Sequence, residues 1–107
     1  MDEIAVIDFS GGITLGEGTS TLRMMVRELV RKGHRKILLN LGEVDYIDSA
    51  GLGELVAAYS TVRNARGELK LLQPNDRVRD LIQITRLFTV FDVLPNEPAA
   101  IRSFNTA

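Results

Sequence analysis

Cysteine is absent from this chain, which excludes a disulfide framework and any thiolate metal site and makes a reducing compartment the natural one. Histidine occurs once, at His34. It lies beside Arg35 near an expected helix end and reads as a surface residue, and no serine–histidine–acid set can be assembled around it. Gly11 and Gly12 lack the lysine of a phosphate-binding loop, and the acidic residues lack metal-ligand spacing. Catalysis, a cofactor and a metal are therefore not expected. No apolar run approaches the roughly 20 residues of a membrane helix, and Met1, Asp2, Glu3 is an acidic start unlike a secretory leader. The expectation is a cytoplasmic protein with no membrane insertion. Thirteen basic residues stand against 14 acidic ones, for a formal net charge of −1, so general attraction to polyanions is missing and nucleic acid is not an expected partner. The one local basic run, Arg31, Lys32, His34, Arg35 and Lys36, falls at an expected helix C-terminus, where cations offset the helix dipole.

What is present is a globular composition. Hydrophobic residues make up 45% and charged residues 25% of 107 residues, enough for one domain over 1–107 with a single core. A monomer is expected when the protein is free. Ile4 to Phe9 reads as a strand, and Gly11 and Gly12 then allow Ile13 to Leu15 to return as an N-terminal hairpin. Thr19 or Ser20 can cap a helix with Leu22, Met25, Val26, Leu29 and Val30 on one face, stopped by Gly33. Ile37 to Leu41 is a nearly continuous apolar run, the pattern of a central strand. A second helix from about Ser49 to Arg66 turns Leu52, Leu55, Val56, Tyr59 and Val62 inward and Gly53, Ala57, Ser60, Thr61 and Asn64 outward, with Gly67 as its stop. Leu69 to Leu72 reads as a strand closed by Pro74, and Asn75 or Asp76 caps a helix carrying Val78, Leu81 and Ile82. Phe91 to Leu94 suggests a last strand, followed by a short helix from Asn96 with Ile101 and Phe104 inward. The alternation implies an α/β layer fold: a mixed sheet of about four to five strands with about four helices. Pattern alone does not order the strands.

The turn from Ile47 to Gly53 carries the chemistry. With Asp48 as N-cap, Ile47 and Leu52 occupy the two positions of a hydrophobic staple. Ser49 then falls at the first helical position, its hydroxyl not needed by the backbone and placed at the positive end of the helix dipole, where a phosphate is tolerated. Gly51 and Gly53 each cost the helix roughly 0.5–1 kcal/mol relative to alanine. Capping gives no reason for both. Glycine lowers the surface so that another backbone or an active site reaches Ser49, while tight packing against the sheet accounts for at most one of the two.

The stretch Val44, Asp45, Tyr46, Ile47, Asp48, Ser49, Ala50, Gly51, Leu52, Gly53 closely resembles the signature of STAS domains and, within them, the anti-anti-sigma factors (anti-sigma factor antagonists) of bacteria. Gly12, the run ending in Leu41, the Leu69 to Leu72 strand with Pro74, and Leu81, Ile84, Thr85 and Leu87 before Phe91 resemble the family in order and spacing, over essentially the whole chain. The resemblance implies a partner-switching protein. Unmodified, it would bind an anti-sigma factor that is also an ATP-dependent serine kinase. Phosphorylated at Ser49, it would release that partner, and a serine phosphatase would reverse the modification. The implied docking surface comprises Asp48, Ser49, Ala50, Gly51, Gly53, Glu54 and Ala57, with Leu52 in the core. The loop Leu15, Gly16, Glu17, Gly18 departs from the acidic-then-small pattern of many members, and partner choice is the property such a loop affects. The alternative is a STAS subunit of a signalling assembly or of a lipid or anion transporter, docking without modification.

Overall fold

The computed structural model describes residues 3–105. In chain order the elements are β1 (Ile4–Ile13), α1 (Glu17–Arg31), β2 (Lys36–Ile47), α2 (Ser49–Asn64), β3 (Glu68–Leu72), α3 (Asp76–Ile84), a 3-10 turn (Leu87–Thr89), β4 (Val93–Leu94) and α4 (Glu97–Asn105). The four strands lie in the order β1-β2-β3-β4, and all three pairings are parallel. The α/β class and the four helices agree with the sequence reading; the mixed sheet and the hairpin do not. Gly11 does take the left-handed conformation, at φ 85. The glycines are nevertheless spent on irregularities within a strand: register shifts fall between Asp8 and Ser10 and between Gly11 and Gly12, as β-bulges do. The strand bends and runs on, so Ile13 pairs in parallel with Ile47 at the far end of β2. That pairing sets the end of β1 against the turn carrying Ser49.

Alternation along the strands divides the apolar residues between two layers. Ile37, Leu39, Leu41, Leu69 and Leu71 face the main core with Leu22, Val26, Leu55, Val62, Val78 and Ile82 from the first three helices. Leu38 and Leu72 point the other way, to a smaller cluster completed by Ala100 and Phe104 of α4. β2 is thus the central strand its apolar run suggested, covered on both faces over its first half. Ile101, expected inward, is exposed; Ala100 occupies the inward position instead. On this second face Lys70 is only 6% exposed. Its ammonium donates to the Ser103 carbonyl and hydroxyl at 3.1 and 3.0 Å, lies 3.5 Å from the Asp92 carboxylate and sits 4.8 Å from the centre of the Phe104 ring. These contacts satisfy a buried charge and tie α4 to the sheet.

Several helix ends differ from the sequence reading for identifiable reasons. α1 starts at Glu17 rather than after Thr19 or Ser20, because the Thr19 hydroxyl folds back, accepting from the Gly16 amide at 3.3 Å and donating to the Gly16 carbonyl at 3.1 Å. α2 ends at Asn64, and Arg66, not Gly67, takes the left-handed conformation beyond it. Gly67 serves close approach: a Cβ there would lie 2.5 Å from the Arg35 carbonyl oxygen. Asn75 is the cap of α3, accepting from the Val78 amide at 2.8 Å. The basic run behaves as a helix end. Arg31 pairs with Glu28, and Arg35 donates to the carbonyls of Val30 and His34. His34, expected at the surface, is half-buried.

Candidate functional site

The N-terminus of α2 is built as the staple spacing predicts. Asp48 is the N-cap. One of its carboxylate oxygens accepts from the Gly51 amide at 2.7 Å and the other from the Leu15 amide at 3.0 Å. The cap therefore also ties the loop after β1 to the start of α2. Ile47 is buried in the main core and Leu52 packs against it. Ser49 is exposed at the first helical position, and among the described residues its hydroxyl has no hydrogen-bond partner.

Those two N–H donors hold the Asp48 carboxyl below the usual carboxylate range, Leu15 contributing most and Gly51 next. A depressed folded-state pKa contributes stability that is complete above the unfolded value of about 3.9 and is lost as pH falls through the folded value. Thermal melts between about pH 7 and pH 2 should therefore show a flatter acid limb for Asp48→Asn than for wild type. Parallel curves would contradict this role for Asp48.

The two glycines of the first turns separate cleanly. Gly51 is buried, and a Cβ there would lie 1.8 Å from the Ile13 carbonyl oxygen. It is the packing glycine, set against the end of β1, and its place in the expected docking surface is corrected accordingly: it is buried beneath the turn. Gly53 is exposed with open space where a Cβ would go. Gly53→Ala is accordingly expected to stabilise the fold by about 0.5–1 kcal/mol through helix propensity alone, read as a raised denaturation midpoint. A lowered midpoint would mean that the position has a conformational role.

Of the other docking residues expected from the sequence, Ala57 is exposed and Ala50 half-buried. Glu54 is turned inward at 9% exposure and accepts from Arg23 of α1 at 2.7 and 3.2 Å. It is corrected from a surface contact to an inter-helix tie. With Glu54 withdrawn, the outer face of α2 presents Ser49, Gly53, Ala57 and Ser60 and no charge before Arg63.

Sequence reasoning missed the opposite wall. A groove of about 420 Å³ runs between the Ser49 turn and α3, lined on one side by Tyr46, Ser49 and Leu52 and on the other by Arg77, Leu81 and Ile84. Ile84 is 79% exposed and Tyr46 48% exposed, and Leu15, whose amide binds Asp48, is 79% exposed. One signal was available. Ile84 falls outside the spacing that places Val78, Leu81 and Ile82 on one face, so an apolar side chain was being turned to solvent. Among the described residues, no group of three or more histidine, cysteine or acidic side chains could hold a metal ion, and no helix is long and apolar enough to cross a membrane.

Fold and site together define a parallel α/β domain whose exposed chemistry is concentrated at one strand-to-helix turn and the groove beside it. The chain belongs to the STAS domain family, whose model matches residues 1–100. It is 32% identical over 96 residues to BtrV of Bordetella bronchiseptica, a protein assigned provisionally as an anti-sigma factor antagonist, covering 90% of this chain and 83% of that one. It is 28% identical over 100 residues to the anti-sigma F factor antagonist of Paenibacillus polymyxa, covering 92% and 84% of the two chains. Its fold matches the phosphorylated form of the Bacillus cell-fate determinant SpoIIAA with a TM-score of 0.72 at 21% identity, covering 97% and 93% of the two chains.

Proposed function

We propose that this protein is an anti-sigma factor antagonist that binds an anti-sigma factor with serine kinase activity through the α2 N-terminus and the groove beside it, and is released by phosphorylation of Ser49. The observation that carries the reading is the Ser49 hydroxyl, exposed and unused because Asp48 does the capping. The names of its relatives supply the class of partner. In the modification the Ser49 Oγ attacks the γ-phosphorus of ATP, the bond to the bridging oxygen breaks, ADP leaves, and the hydroxyl proton passes to a base of the kinase. A serine phosphatase transfers the phosphoryl group to water and restores the hydroxyl. The protein contributes an acceptor and a surface, acts in the cytoplasm and is a monomer when free.

Intact-mass measurement after incubation with the anti-sigma kinases of the same genome and ATP tests this. One phosphate is expected on wild type and none on Ser49→Ala. No phosphate on wild type, with the kinase active on a control substrate, would overturn the reading. It would favour constitutive docking instead, which the uncharged face of Gly53 and Ala57 serves equally well.

A further inference from the structure

The groove beside Ser49 is also lined by a guanidinium, that of Arg77. Arg77 lies on the α3 wall of the same groove that Ser49 lines, and among the described residues it has no hydrogen-bond or ion-pair partner. Its neighbour Arg79 is engaged, donating to the Pro74 carbonyl at 3.4 Å and lying 3.9 Å from the Asp76 carboxylate. Resting on the reading of Ser49 as the phosphorylated residue, we propose that Arg77 pairs with the phosphate of phosphorylated Ser49 and holds it across the mouth of the groove.

Three features favour the pairing. Both oxygens of Asp48 are held by the Leu15 and Gly51 amides, so its carboxylate is fixed at the α2 turn. Its negative charge repels a phosphate on the adjacent residue and biases it away from the α2 turn, toward α3. The groove is also lined by Ile47, Leu52, Val78 and Leu81, and an apolar lining limits the solvent screening of an ion pair set against it. Guanidinium matches a phosphate with two parallel N–H donors, which a lysine ammonium cannot reproduce. The charged and titratable groups lining the groove are Asp48 and Tyr46 from the β2–α2 side and Arg77 and Asp80 from α3. The two carboxylates oppose the second ionisation of the phosphate, and Arg77 and the positive end of the α2 dipole favour it.

The consequence is that modification changes two things at once. It adds charge beside the α2 turn, and it spans the groove that exposed Tyr46 and Ile84 offer to a partner. A released state held in this way does not depend on repulsion alone.

The test uses full-length protein with phosphoserine installed at position 49 during translation, so that it stands whether or not any kinase modifies Ser49. Titration followed by phosphorus NMR reads the second pKa of the phosphate, ordinarily about 6. It is expected about one unit lower in wild type than in Arg77→Gln, with Arg77→Lys closer to wild type than Arg77→Gln is. Equal values in wild type and Arg77→Gln overturn the pairing and leave the Ser49 reading intact. A kinase that leaves Ser49 unmodified overturns that reading and leaves the titration unaffected. Arg77 is exposed, so the unmodified variants are expected to melt with wild type, which separates a lost ion pair from a lost fold.

Discussion

Gly51→Ala is expected to destabilise the domain by at least about 3 kcal/mol, lowering Tm by roughly 12 °C or more in a domain of this size. The new methyl carbon would lie 1.8 Å from the Ile13 carbonyl oxygen and 2.8 Å from its carbon. The two nearest atoms are backbone, and the next, Ile47 Cγ2 at 3.0 Å, belongs to a buried side chain, so nothing flexible is there to yield. The oxygen is also committed, accepting from the Asp48 amide at 3.4 Å. Relief requires the first turn of α2 to lift from β1, which disturbs the Asp48 cap and the buried Ile13 and Ile47 together. Total stabilities of domains are about 5–15 kcal/mol, so a loss of this size removes a large share. Denaturant melts of Gly51→Ala and Gly53→Ala side by side make the comparison sharp: identical substitutions two residues apart in one helix should move the midpoint in opposite directions. A Gly51→Ala protein as stable as wild type would show that the helix start does not pack on β1 in this way.

Ser49→Asp is expected to weaken binding to the anti-sigma factor strongly, while Ser49→Ala retains wild-type affinity. Ser49 is exposed and makes no hydrogen bond among the described residues, so both variants should melt within about 0.5 kcal/mol of wild type. Any difference in affinity then belongs to the interface. Full switching from mostly bound to mostly free requires a differential of about 3–5 kcal/mol, within reach of a dianionic phosphate forced into an interface beside the Asp48 carboxylate. Aspartate carries about half that charge on a shorter arm, so its effect is expected at roughly 10- to 100-fold in Kd. Calorimetric titration of the purified partner with the three proteins decides it. Equal affinity for the aspartate and alanine variants would remove the charge mechanism while leaving the fold untouched.

Much of the site was legible because its determinants are local. The identity of Asp48 as cap follows from three spacings within six residues, Ile47, Asp48 and Leu52, and the exposure of Ser49 follows from that assignment. The inward and outward faces of α1 and α2 were read from helical spacing for the same reason. Where a long-range partner intervened, local reasoning failed. Glu54 looks like a surface carboxylate until α1 places Arg23 against it. Gly11 and Gly12 look like a hairpin turn, and only the parallel pairing of β1 with β2 makes them bulges.

By itself the sequence determined the α/β class, the faces of α1 and α2, the cap on α2 and the release of Ser49 from backbone duty, since each depends on residues within one or two turns or one strand. Only the tertiary structure decided which of the two glycines is obligatory and which is free. It also gave the Ser49 turn a second wall. Those outcomes depend on Ile13 meeting Gly51 and on α3 lying beside the α2 turn. Such contacts join residues distant along the chain, and they form only when the whole sheet closes its core.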